Sequence, residues 1–145
     1  MEYIYIITPC IAVFIAQISK FFVKKNRLKF SFKNLIAYSG MPSSHAAVTI
    51  SLATIIGLRI GFNSAPFAVA ALVAFLSLRD AAGIRQYIGR QGKVINELVE
   101  DLDDGDYLDE RYPQLIERVG HTPKQLLIGA VIGFIVALIC NWLIA

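Results

Sequence analysis

Gly40-Met41-Pro42-Ser43-Ser44-His45 stands where a charged loop gives way to a long apolar run, and Gly120-His121-Thr122-Pro123 stands just before the last apolar run. Each stretch reads as a helix start. Ser43 or Ser44 suits the N-cap of the first, which leaves His45 in its first turn. Thr122 suits the N-cap of the second, with Pro123 at its first position, where a missing N–H costs nothing. His121 then stands just outside that helix. Helix N-termini carry unpaired N–H groups and partial positive charge, so they attract anions. His45 and His121 are the only two histidines in the chain.

Working outward, the flanking sequence is that of a membrane protein. The chain has 145 residues, enough for one domain over 1–145. Its hydrophobic fraction is 56%, its charged fraction is 17%, and the charges are clustered. A membrane span needs roughly 20 mostly apolar residues. Four segments come close: Tyr3–Val23, Ser44–Phe62, Ser64–Ala82 and Lys124–Ala145. The second is short, with Arg59 near its far end, where it can snorkel to the interface. The predicted fold is therefore all-α, an integral membrane bundle of about four spans.

Loop charge sets the expected orientation. Lys24, Lys25, Arg27, Lys29 and Lys33 follow the first span with no acid among them, and only Glu2 precedes it. Positive short loops face the cytoplasm. The N-terminus is then outside, and both histidine motifs fall on the cytoplasmic side of the membrane. The lysine cluster itself reads as a topology signal and an anionic-lipid contact.

The segment 84–103 has Ile84, Ile88, Val94, Ile95, Leu98 and Leu102 at helical spacing, opposite Arg85, Arg90, Lys93, Glu97 and Glu100. It reads as an amphipathic helix on the cytoplasmic membrane surface or capping the bundle. Asp101–Glu110 reads as a solvated acidic turn, and Pro113–Val119 as a short helix leading to His121. Cys10 and Cys140 lie inside apolar segments, with no zinc spacing. Gly57-x-x-x-Gly61 and Gly129-x-x-x-Gly133 are candidate close-packing stripes, the first ending at a turn.

Several cations are placed to hold an oxyanion: Lys20 and Arg27 at the cytoplasmic end of the first span, Arg79 and Arg85 around the end of the third. Arg79-Asp80 interrupts an apolar run and wants a reason, because charge within a span is costly. Either the two neutralise each other, or Asp80 orients an arginine or a histidine. Arg59 lies at the other face and is excluded.

Pro42-Ser43-Ser44-His45 resembles the Pro-Ser-Gly-His motif of the type-2 phosphatidic acid phosphatase superfamily, which includes bacterial acid phosphatases and vanadium haloperoxidases. Lys20 and Arg27 match the Lys and Arg of that superfamily's first motif, with Leu28 in place of its proline. Gly120-His121, followed by Gly129 and Gly133, resembles the third. Over nearly the whole chain the pattern is similar to a divergent bacterial branch, through Gly40–His45, Asp80-Ala81-Ala82-Gly83-Ile84-Arg85, Asn96-Glu97-Leu98 and Gly120–Pro123 in order.

The resemblance implies a lipid phosphatase without metal or other cofactor. His121 would be the nucleophile that forms a phosphohistidine, and His45 the general acid. Lys20, Arg27, Arg79 or Arg85, with Ser43, Ser44 and the helix-start N–H groups, would hold the phosphoryl oxygens. The chain departs from the classical pattern in two places. Gln125 stands four residues after His121, where classical members have aspartate. Arg118 lies only three residues before His121, while Arg79 and Arg85 are far earlier. Either Asp80 or Glu97 supplies the carboxylate, or the protein is a weak or inactive phosphatase that still binds phosphate.

The expected partners are a lipid phosphate substrate and membrane lipids, with no nucleic acid; a homodimer is compatible with so small a bundle. The rival function is a non-enzymatic membrane module that binds anionic headgroups or protein partners. A transporter fits less well, because the ionisable groups gather at one face and not at the midplane.

Overall fold

The computed structural model describes residues 3–23, 40–102, 114–117 and 119–144. Every regular element among them is an α-helix: α1 (Ile4–Phe22), α2 (Ser44–Arg59), α3 (Ala65–Ala82), α4 (Ile84–Leu102) and α5 (Pro123–Leu143). The lysine-rich loop with Arg27, most of the acidic turn, and Arg118 lie outside the described residues.

The exterior is apolar. Large side chains such as Phe14, Leu72, Phe75, Ile135 and Trp142 point outward, whereas the buried positions are mostly small: Ala12, Ala16, Ala46, Ala47, Ala74 and Ala137. That is the inverse of a water-soluble bundle. It suits lipid, where helices associate by close backbone packing and not by hiding apolar surface. Helices α1 and α5, and the run 65–102 that contains α3, are long and apolar enough to cross a membrane. Helix α2 has 16 residues and spans about 24 Å. It tolerates being short because it is the central helix, with α1, α3 and α5 all packed on it, so protein covers its flanks.

The closest packing is between α2 and α5. A Cβ on Gly129 would strike the Ser43 carbonyl oxygen, and one on Gly133 would strike the Ala47 carbonyl oxygen. The two glycines, four apart on one face, let α5 lie directly on the first turns of α2. The Ser43 N–H donates to the Gln125 carbonyl at 3.0 Å, which ties the two helix starts together. At the opposite end, Arg59 Nη2 donates to the Asn141 carbonyl at 3.1 Å.

The other glycine pair behaves differently. Gly57 makes room for the Phe62 ring, and Gly61, with φ +112°, has open space beside it and forms the turn before α3. It is a turn signal and not a helix-packing stripe.

Helix α4 follows α3 after a break at Gly83, whose N–H still reaches the Arg79 carbonyl at 2.9 Å. Its apolar face, including Ile84, Ile88, Ile95, Leu98 and Leu102, is exposed, as the amphipathic pattern predicts. The short helix expected over Pro113–Val119 is absent among its described residues; 114–117 is not helical. Tertiary contacts override helix formation there. Asn96 Nδ2 donates to the Leu115 carbonyl at 3.0 Å and Asn96 Oδ1 accepts the Leu115 N–H at 2.9 Å. Gly89 and Gly92 let the backbone at Glu117 and Ile116 approach α4. A helix at 113–119 would need those backbone groups for itself.

Gly129→Leu should separate α2 from α5. We expect loss of thermal stability in detergent worth about 2 kcal/mol or more, the cost of overpacking a fitted contact. Gly61→Ala should be milder, since only its backbone conformation resists. Equal melting temperatures for Gly129→Leu and the unaltered protein would contradict the packing.

Candidate phosphate-handling site

The site is built where α2 and α5 begin and α3 ends. Ser43 is the N-cap of α2, its hydroxyl accepting the Ala46 N–H at 3.4 Å. Thr122 caps α5 in a reciprocal capping box: its hydroxyl accepts the Gln125 N–H, and Gln125 Oε1 accepts the Thr122 N–H at 2.8 Å. The His121 N–H donates to the Ala81 carbonyl at 2.9 Å, one of the orphan carbonyls at the end of α3. Gln86 Nε2, on α4, donates to the His121 carbonyl. His121 is thus held on both sides of its backbone by two different helices.

Gly120 makes this possible. Its φ is +86°, and a Cβ there would press on Gln86 N, Ala81 O and the Arg85 carbonyl carbon. Both the left-handed backbone and the close approach require glycine.

The two imidazoles come together, with ring centroids 6.2 Å apart and planes tilted by 52°. They line one small cavity of about 70 Å³ with Ser77, Asp80, Arg85 and Gly120. Arg85 Nε donates to Asp80 Oδ2 at 2.6 Å across its wall. Lys20 is only 2% exposed, and its charge acts on both imidazoles. The polar groups are mostly cationic or neutral donors, with Asp80 the carboxylate in the wall. Such a cavity favours a small oxyanion.

His121 is 3% exposed, and its Nδ1 has no hydrogen-bond partner among the described residues. Burial, then the charges of Lys20 and His45, push its pKa down to about 4; the Gln125 side chain opposes this and Arg85 adds to it. The imidazole is therefore neutral near pH 7 and has a lone pair to offer.

The expected site residues fall into three groups. His45, His121, Asp80 and Arg85 meet in the cavity wall, and Lys20 is buried within electrostatic reach. Ser43 serves as a helix cap, and Ser44 is buried with its hydroxyl unpartnered among the described residues. Arg79 is exposed and is not in the wall, and Arg27 lies outside the described residues. Of the carboxylates considered for His121, Asp80 is engaged by Arg85, and Glu97 pairs with Lys93 at 3.3 Å on exposed α4. Gln125 Oε1 is committed to the helix cap.

Gln86 and the glycines Gly89 and Gly92 are positioning residues that the motif reading passes over, as is the clamping role of Asn96, and Ser77 is a cavity-lining residue that it also passes over. The clamp does leave a trace, a Gly-x-x-Gly-x-x-x-Asn spacing that puts small and amide residues on one side of a polar helix.

The sequence profile of the divergent PAP2 family matches residues 1–136. An uncharacterized membrane protein of Bacillus subtilis (strain 168), YuiD, is 33% identical over 140 residues, covering 88% of this chain and 87% of its own length. No solved structure matches the chain significantly. The chain belongs to the divergent PAP2 family.

The burial of His121 has a pH signature. Its folded pKa of about 4 lies below the ordinary 6.5, so the unfolded chain binds more protons between these values. Its contribution is intact above pH 6.5 and is lost as pH falls toward 4, by up to about 3 kcal/mol. Melting in detergent across that window should show a steeper acid loss for the unaltered protein than for His121→Gln. Parallel curves would contradict a buried neutral imidazole.

Proposed function

We propose that this member of the divergent PAP2 family is a membrane phosphatase that removes phosphate from a lipid at the cytoplasmic face of a bacterial cell membrane, through a phosphohistidine on His121. The observation that carries the reading is the pairing of His45 and His121 across one small cavity with Arg85 in its wall.

In this reading the neutral His121 imidazole attacks phosphorus as the bond to the leaving oxygen breaks. His45 gives that oxygen its proton. Water then attacks the phosphohistidine, with His45 taking a proton back, and inorganic phosphate leaves. Arg85, Lys20 and the positive end of α2, whose first turn carries His45, stabilise the charge spread over the equatorial oxygens. An incoming phosphate competes with Asp80 for Arg85. The released carboxylate is then available to an imidazolium.

One observation favours a second reading. Among the described residues no carboxylate is bonded to His121, and in a serine-protease triad replacing the orienting aspartate by an amide costs about 10⁴ in turnover. A module that binds anionic headgroups without turnover would tolerate that lack.

Phosphate release by purified protein in detergent, against a panel of lipid phosphates, separates the two. His121→Ala should lower turnover by about 10³-fold or more, and orthovanadate should inhibit as a mimic of the transferring group. His45→Ala should cost about 10²–10⁴-fold, most for poor leaving groups. Retained turnover in His121→Ala would sink the phosphohistidine route. Release of no phosphate from any lipid by the unaltered protein, with headgroup binding intact, would favour the binding module.

The orientation follows from loop charge. In a background without Cys10 and Cys140, a cysteine at Lys29 or Asp106 should resist an impermeant thiol reagent in intact cells. Ready labelling would reverse the orientation.

A further inference from the structure

A second, larger cavity lies within the membrane-spanning part. Helix α3 packs on α2 but touches α5 only marginally, which leaves a groove between α3 and α5 with α2 as its floor. Its volume is about 510 Å³, and Thr54 is the one polar side chain among its lining residues. Ala53 and Thr54 of α2 lie in the floor, Ala71 and Ala74 of α3 make one wall, and Phe134 and Leu138 of α5 form the far wall.

The groove has a defined start and end. On α3, Ala74 and Leu78 line the groove, while Ser77 and Ala81 line the polar cavity. These positions recur at helical spacing, so groove and cavity share one face of α3. Leu78 also packs on the Ala46, Ala81 and Leu126 cluster beneath the polar cavity, and so marks the step between the two. At the far end, Phe62 and Phe67 stack edge to face, with centroids 5.0 Å apart. The missing side chain of Gly57 seats the Phe62 ring. Between Phe67 and Leu78 the groove runs about 16 Å along α3.

A cationic pocket at one end of an apolar groove matches an amphiphile with an anionic head. We propose that the groove holds a hydrocarbon chain of the lipid whose phosphate enters the polar cavity, and that the Phe62–Phe67 pair closes the groove and limits the length of that chain. The identity of the lipid rests on the phosphatase reading; the groove and its closed end do not.

The test is photocrosslinking of the full chain in lipid nanodiscs. The probe is a phosphatidate with a diazirine within one acyl chain, and labelled residues are mapped by mass spectrometry. Labelling should concentrate on Ala53 and Thr54 in the floor, on Ala71 and Ala74, and on Phe134 and Leu138. Ala74→Phe should reduce it about tenfold, the scale set by small steric changes in apolar pockets. Val73→Phe, on the exposed side of α3, should not. Phe62 is largely exposed, so Phe62→Ala should fold and should shift competition toward longer-chain phosphatidates. Labelling spread evenly over Leu72, Val73 and Leu76, or a chain-length preference unmoved by Phe62→Ala, would overturn the proposal. Groove labelling equal for phosphatidate and for diacylglycerol with the same chain would overturn the lipid-phosphate reading of the polar cavity instead.

Discussion

Two glycines on α5 lying against two carbonyl oxygens of α2 set the rest of the structure. Gly129 over Ser43 and Gly133 over Ala47 bring the helix backbones into contact. In lipid there is no apolar surface to hide, so association of this kind depends on packing at close range. The contact also fixes register. It places the α2 and α5 starts side by side, ties Ser43 N–H to the Gln125 carbonyl at 3.0 Å, and so sets where His45 and His121 stand. A one-turn slip would separate the histidines while leaving the lipid-facing surfaces nearly unchanged.

Helix α4 and the segment that returns from it complete the positioning. Asn96 pairs with both backbone groups of Leu115, Gly89 and Gly92 admit the segment's backbone, and Gly120 turns it into the gap between α3 and α4. His121 arrives with its N–H on Ala81 and its carbonyl on Gln86. The imidazole is rigidly delivered into a buried place where protonation is unfavourable and cationic neighbours abound. Those same neighbours make an oxyanion welcome. The Asp80–Arg85 pair, at 2.6 Å, holds the arginine in the wall.

Much of this was legible in the chain because it depends on local chemistry. Thr122 as N-cap and Pro123 at the first helical position announce the start of α5 from local chemistry alone. The apolar runs and the amphipathic stripe of α4 follow from periodicity. What depended on tertiary contacts was not legible. Pro113–Val119 looks helical until Asn96 claims the Leu115 backbone. Gly57 and Gly61 share the spacing of Gly129 and Gly133, yet one seats a ring and the other makes a turn. Arg79 and Arg85 are equivalent as text; the break at Gly83 is what sends Arg85 into the cavity wall and leaves Arg79 exposed. Asp80 is chosen by Arg85 over His121 through a side-chain geometry that no spacing encodes.

A His121 that carries the phosphoryl group between lipid and water, as proposed, must be caught with that group attached. The most direct measurement is rapid mixing with lipid phosphate labelled in the phosphoryl group, quenching in base, and mass spectrometry of the peptide that contains His121. An acid-labile, base-stable phosphoryl group should appear on His121 before free phosphate accumulates and should be absent from His121→Ala. Steady phosphate release with no phosphoryl group on His121 at any quench time would contradict it.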